Sequence, residues 1–202
     1  RSSDLASCNA LHLGLKNNLY LVERIAKEQA QRLRWLGFNL NFAPVLDCNT
    51  QAANPIIGVR SYGHDENHVL ACATALAKAY WQSGIFAVGK HFPGHGSGVV
   101  DSHLSLPTFD NWNEKELLPF EGLIQNNIPG LLTAHGLYPK LQKELADTEE
   151  LPASLSKAIT TRLLKEKLGF QGLVFTDDLS MGALNTLGNT FGDFFVEMVI
   201  ST

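Results

Sequence analysis

The chain has 202 residues, 45% of them hydrophobic and 18% charged, a balance that supports a buried core and excludes a disordered or low-complexity polypeptide. Against 20 Asp and Glu there are only 16 Lys and Arg, a formal net charge of −4, so no basic field is offered to nucleic acid. No apolar run reaches about 18 residues, so no membrane span is expected, and the opening residues RSSDLASCNA lack a signal-peptide pattern.

In chain order, Leu21, Ile25, Gln29, Leu33 and Leu36 recur at helical spacing and stop at Gly37, a helix-ending glycine. FNLNFAPVL (38–46) then reads as a first strand. Val69, Cys72, Leu76 and Tyr80 form a second helical stripe ending at Gly84, followed by a strand in GIFAVGK (84–90). Asn113 with Glu116 has the form of a capping box, while Pro119 predicts that the helix is kinked or starts later. GLLTAH (130–135) is a third strand; Ile159, Leu163 and Leu168 stripe a helix before Gly169; GLVFT (172–176) is a fourth strand.

The strands start at 38, 84, 130 and 172, one long βα unit apart, but the units are unlike in sequence and are not a solenoid repeat. The expected fold is therefore α/β with a parallel sheet, a TIM-like (β/α) barrel in preference to a doubly wound sheet. An eight-stranded barrel typically takes about 250 residues, so the barrel is expected to be incomplete. The three cysteines, Cys8, Cys48 and Cys72, include no CxxC pair, which argues against a disulfide framework or a thiolate zinc site.

Polar residues collect where the strands end: Asp47, Lys90 with His91, His135, and Asp177 with Asp178. In parallel α/β folds that edge carries the active site. The densest stretch is KHFPGHGSGVVDSHLSLP, Lys90 to Pro107. His91, His95, Asp101, His103 and His135 are metal-ligand types, but Pro93 and Gly94 oppose a helical turn that would align His91 with His95, and no metal or other cofactor is expected. His95, between Gly94 and Gly96, reads as a packing residue holding a tight backbone path. Asp101-Ser102-His103 reads differently: a carboxylate two residues from an imidazole can accept its Nδ1 proton and orient a basic Nε2 outward. Asp177 is a carboxylate able to attack an acetal carbon, and Asp178 fits helix N-capping.

Together KHFPGHG, DSH, LP, FAPVLD, IIGVRSYG, PASLS and FTDDLSM, spread over about residues 35 to 185, resemble glycoside hydrolase family 3, and most closely its bacterial β-N-acetylglucosaminidases acting on peptidoglycan fragments. The segment GSGVVDSH departs slightly from the commoner wording but keeps its Asp and His. The resemblance implies a retaining glycosidase on a TIM-like barrel, with Asp177 as nucleophile, His103 and Asp101 as a proton-transfer dyad, and Arg60, Lys90 and His91 holding sugar hydroxyls. It implies an N-acetylglucosamine-containing glycan as the substrate. It also implies barrel strands beyond both ends, so residues 1–202 are read as a single domain, an internal portion of the family's N-terminal catalytic barrel. The expected location is cytoplasmic, with a secreted or periplasmic one as the alternative because the N-terminus reads as missing. A β-glucosidase or β-xylosidase of the same family, a metal-dependent hydrolase and an inactive fragment are the competing readings.

Overall fold

A computed structural model describes residues 8–100 and 105–185. Four strands, β1 Leu40–Asn41, β2 Phe86–Phe92, β3 Gly130–Thr133 and β4 Leu173–Thr176, form one parallel sheet in sequence order. Helices α1 Ala10–Leu15, α2 Leu19–Trp35, α3 Glu66–Gln82, α4 Leu118–Gln125, α5 Pro139–Glu144 and α6 Gly182–Asn185, with a π-helix at Ala158–Lys167, fill the intervening chain. The βα alternation matches the sequence expectation.

The sheet curls as a barrel wall does. Flat strands lie roughly 4.8 Å apart, so β1 and β4 would be separated by about 14 Å. Yet the rings of Phe42, just after β1, and Phe175, on β4, meet edge to face with centroids 5.4 Å apart. Curling must bring the two outer strands toward each other over the inner face. Gly130 leaves room there, since a Cβ would meet the rings of Phe86 and Phe175. Among the described residues the sheet stays open, with no closed ring of eight strands.

The opposite face carries the main core. Ala87, Leu131 and the partly buried Val174 pack with Val69, Cys72, Leu76 and Tyr80 of α3, which are all buried as their spacing predicts. On α2 the predicted stripe holds through Leu33: Ile25 is buried and Leu21 and Leu33 pack against the core, joined by Val22, Ala26 and Ala30, whereas Leu36, just past the helix end, is exposed. The small alanines let α2 lie close on α3. Gln29, the polar member of the stripe, accepts from the Tyr80 hydroxyl (3.1 Å), which accepts from Asn41 Nδ2 (2.9 Å), tying α2, α3 and β1 together. Gly37 and Gly84 end their helices with φ of 89° and 74°, the left-handed conformation expected of such stops.

One local expectation needs correction. The first strand is far shorter than residues 38–46, because after Asn41 the chain leaves regular pairing and returns only at a bridge from Val45 to Lys90. Asn113 caps a 3₁₀ turn, Glu114–Leu117, by accepting from the Lys115 amide, and α4 starts later with Pro119 in its first turn. Glu116, the expected partner in the capping box, turns its carboxyl toward the Asn113 amide and also toward the hydroxyl and amide of Ser97 in the loop above it.

Candidate active site

The irregular passage after β1 is what places Asp47. Lys90 donates its amide to the Pro44 carbonyl (3.0 Å) and accepts at its own carbonyl from the Leu46 amide (2.6 Å). Asp47 is thereby carried beside His91 at the C-terminal end of β2. Its side chain is fully buried and accepts three times: from His91 Nδ1 at 2.6 Å, from the His91 amide at 3.2 Å and from the His95 amide at 2.8 Å. Burial alone would raise this carboxyl, but the His91 imidazole and the donors around it outweigh burial and hold it below the usual range.

Arg60 reaches the same imidazole from the other side, with a guanidinium nitrogen 3.3 Å from His91 Nε2. It ends the 3₁₀ turn Gly58–Arg60, and a second guanidinium nitrogen donates to the Ile56 carbonyl (3.3 Å). Asn54 braces this turn against the next loop: Oδ1 accepts from the Ile56 and Ile57 amides, while Nδ2 donates to the His95 and Gly96 carbonyls. Lys90 is half-buried, and burial followed by the nearby Arg60 charge pushes its ammonium down, opposed by Asp177 and Asp47. Lys90, Arg60, Asp47 and Asp177 therefore share one electrostatic environment at the strand ends.

The loop beyond β2 is clamped by aromatic side chains. Trp112 Nε1 donates to the Pro93 carbonyl (3.0 Å) and the Tyr138 hydroxyl to the Gly94 carbonyl (2.9 Å). Phe109 stacks on Tyr138, and the His95 ring meets Phe109 edge to face with centroids 4.8 Å apart. A Cβ at Gly96 would overlap the Cys48 carbonyl, so the close approach there requires glycine. His95 is the packing residue its flanking glycines suggest, but by ring contact rather than by bonding to the backbone. Both ring nitrogens are buried without a partner, and burial pushes the imidazole down to about 4. Glu116 is buried under the same loop, and burial pushes its carboxyl up to about 7.

On the far side, His135 follows β3. Its Nε2 lies 3.0 Å from the Asp178 carbonyl and its Nδ1 2.6 Å from the Ser154 hydroxyl. A carbonyl only accepts, so Nε2 carries the hydrogen and Ser154 donates to Nδ1. Burial pushes this imidazole down, favouring the neutral ring. Asp177 sits at the tip of β4, its amide donating to the Thr133 carbonyl (3.2 Å) and its Oδ1 accepting from the Asp178 amide (2.9 Å). Asp178 Oδ1 accepts from the amide and hydroxyl of Ser180, closing an Asx turn ahead of α6 rather than capping the helix as expected, since α6 starts only at Gly182.

The structure thus brings Arg60 and His91 into contact and sets Lys90 and Asp177 in a common field at the predicted sheet end. Asp101 and His103 lie outside the described residues. Farther along the chain, the Phe109 amide donates to the Leu137 carbonyl and the Leu137 amide to the Pro107 carbonyl. Sequence reasoning named Asp47 as a strand-end carboxylate but missed its pairing with His91; the bracing by Asn54, and Ser154 behind His135, were also missed. Asn-Pro at 54–55 was the one signal available, a turn initiator before the GVRSYG stretch. Among the described residues no group of three or more His, Cys, Asp or Glu converges as a metal site.

Known proteins resemble this chain in sequence and in fold. The beta-hexosaminidase A of Pseudoalteromonas piscicida is 38% identical over 176 residues, 82% of this chain and 29% of that protein. The beta-hexosaminidase of Methylococcus capsulatus is 37% identical over 164 residues, 79% of this chain and 47% of that protein. The solved glycoside hydrolase family 3 beta-N-acetylglucosaminidase from Paenibacillus sp. str. FPU-7 superposes with a TM-score of 0.83 at 37% identity, covering 94% of this chain and 36% of that one. The chain thus spans less than half the length of these relatives. Residues 7–198 match the glycosyl hydrolase family 3 N terminal domain, and the chain belongs to that family.

Proposed function

We propose that the protein of which this chain forms part is a retaining β-N-acetylhexosaminidase that releases terminal β-linked N-acetylglucosamine, with peptidoglycan-derived fragments as its natural substrates. The observation that carries the reading is the position of Asp177 just past β4, its amide bonded to the Thr133 carbonyl, at the same sheet end as Lys90 and His91 of β2 and the Arg60 that contacts His91. The names of the relatives support the choice of sugar. A carboxylate at a strand end, with cationic and amide donors around it, suits nucleophilic attack on a bound sugar.

In this reading Asp177 attacks the anomeric carbon while the bond to the leaving oxygen breaks and the His103 imidazolium gives that oxygen its proton. Asp101 orients the ring. The neutral imidazole then takes a proton from water, whose oxygen attacks the anomeric carbon and releases the Asp177 carboxylate. An imidazole does this without adding a second negative charge beside the glycosyl-aspartate. Arg60 and Lys90 hold the sugar hydroxyls through their multiple donors, and His91, whose two ring nitrogens face Asp47 and Arg60, serves the sugar through Arg60 rather than by direct contact.

The test compares aryl β-N-acetylglucosaminide, β-glucoside and β-xyloside hydrolysis by the full-length protein, with NMR of the first-formed sugar. Preferential hydrolysis of the N-acetylglucosaminide with retained β configuration is expected. Preference for the glucoside or xyloside would move the protein to that branch of the family, and inversion would remove Asp177 as nucleophile.

A further inference from the structure

Arg60 contributes to the proposed site, but its guanidinium sits on a short 3₁₀ turn and is only partly buried. Something must hold it in place. We propose that Asp47 is a positioning residue: its buried carboxylate fixes the His91 imidazole in the Nδ1–H form, so that the Nε2 lone pair anchors the Arg60 guanidinium at the mouth of the site.

The hydrogen count leaves one arrangement that satisfies all three groups. Asp47 Oδ2 lies 2.6 Å from His91 Nδ1, and an ionised carboxylate only accepts, so Nδ1 carries hydrogen. A guanidinium only donates, so the nitrogen 3.3 Å from Arg60 must offer a lone pair. A ring protonated on both nitrogens would set N–H against N–H. The carboxylate cannot swivel to change this, because Oδ1 is occupied by the amides of His91 and His95. Ser61 fixes the backbone, donating its hydroxyl to the Asp47 carbonyl at 2.6 Å. Asp47 is fully buried and does not reach the surface of the site. Its influence passes through the imidazole.

The consequence for recognition follows from the donors. Arg60 commits one guanidinium nitrogen to Ile56 and another to His91. The remaining N–H groups are left in a fixed direction, available for a substrate oxygen without further ordering. This part of the inference rests on the proposed role of Arg60 in holding sugar, whereas the hydrogen assignment stands on the geometry alone.

Asp47→Asn discriminates because it preserves shape and reverses one donor. The amide oxygen can still accept from the two backbone amides, which turns the NH₂ group toward His91 Nδ1. That nitrogen must then accept, and the ring hydrogen moves to Nε2, facing Arg60. In the full-length protein with ¹⁵N-labelled histidine, NMR near neutral pH is expected to show His91 as Nδ1–H in the wild type and as Nε2–H in Asp47→Asn. A wild-type ring that is Nε2–H, or protonated on both nitrogens, overturns the proposal, and this holds even if Asp47→Asn does not fold or no glycoside is cleaved.

On an aryl β-N-acetylglucosaminide, Asp47→Asn is expected to raise KM about 10-fold with kcat little changed, the size of one charge-assisted hydrogen bond. In an Arg60→Ala background the same substitution should add no further rise. Independent, multiplying effects of the two substitutions would overturn the coupling through His91. Absence of hydrolysis with the wild-type hydrogen at Nδ1 would instead refute the glycosidase reading and leave the Asp47–His91 assignment supported.

Discussion

His135 donates from Nε2 to the carbonyl oxygen of Asp178 across 3.0 Å, binding the end of β3 to the residue that follows Asp177. The ring is itself held by Ser154, which supplies a hydrogen to Nδ1. Two strand ends are thereby locked in register beyond the last sheet bond, and the direction of the Asp177 carboxylate depends on that lock. His135→Ala should lower kcat by about 10²-fold, the cost of a misplaced reacting group, with a much smaller change in KM. Ser154→Ala leaves the ring in place but unsupported and should fall between the two. Steady-state kinetics, with thermal unfolding to confirm that each variant is folded, check the ordering; an unchanged kcat in His135→Ala would show that Asp177 needs no such support.

Stability should depend on pH in both directions, through His95 and Glu116. The folded chain holds His95 near 4 against an ordinary 6.5, so the unfolded chain binds more protons between those values and stability falls as pH drops through them. Glu116 acts in the opposite sense. Raised to about 7 from 4.5, it keeps its proton in the folded chain while the unfolded chain has lost it, so stability falls as pH rises through that interval. Glu116→Gln removes the second loss and should be more stable than wild type by about 3 kcal/mol at pH about 8, with little difference near pH 5. Urea unfolding at both values tests this, and a uniform loss of stability would mean that the carboxyl makes a specific interaction the amide cannot replace.

The path of the loop after β2 yields a steric prediction. A methyl group on residue 96 would run into the Cys48 carbonyl, which is main chain and cannot rotate away. Gly96→Ala should cost about 3 kcal/mol, at the upper end for overpacking. It should also depress activity, since the neighbouring His95 amide is one of the Asp47 donors. Equilibrium unfolding and kinetics on one preparation separate the two effects; a variant as stable as wild type would show that the loop can shift.

The βα order was legible because strand hydrophobicity and glycine helix stops are local signals. Val69, Cys72, Leu76 and Tyr80 were all read on the buried face of α3 for this reason. On α2 the stripe of Leu21, Ile25 and Leu33 was legible, but Ala26 and Ala30, which close helix contact favours, are overlooked by a count of large apolar residues. At the site, residue types and strand ends identified Lys90, His91 and Asp177. The partnership of Asp47 with His91 spans 44 positions and depends on the irregular chain between β1 and residue 47, which has no periodicity to read. Glu116 was legible as a capping-box partner because Asn-x-x-Glu is a local pattern, but its burial beneath a distant loop beside Ser97 left no local trace.

The division of labour proposed for Asp177 and His103 predicts a kinetic signature in the full-length protein. If Asp177 forms the covalent intermediate, Asp177→Ala should abolish turnover of an aryl β-N-acetylglucosaminide, because the neighbouring carboxylate, Asp178, is engaged in its turn with Ser180. His103→Ala should discriminate between leaving groups. An activated phenolate departs with little need of a proton, so glycosylation should be less impaired than with a natural disaccharide, while hydrolysis of the intermediate slows for want of a general base. The intermediate should then accumulate, giving a burst of phenolate, and a fluorinated N-acetylglucosaminide should label one peptide found by mass mapping. A label on Asp178, or activity retained in Asp177→Ala, would remove Asp177 as nucleophile. Equal losses for activated and natural leaving groups in His103→Ala would leave the nucleophile in place and assign the proton to another group.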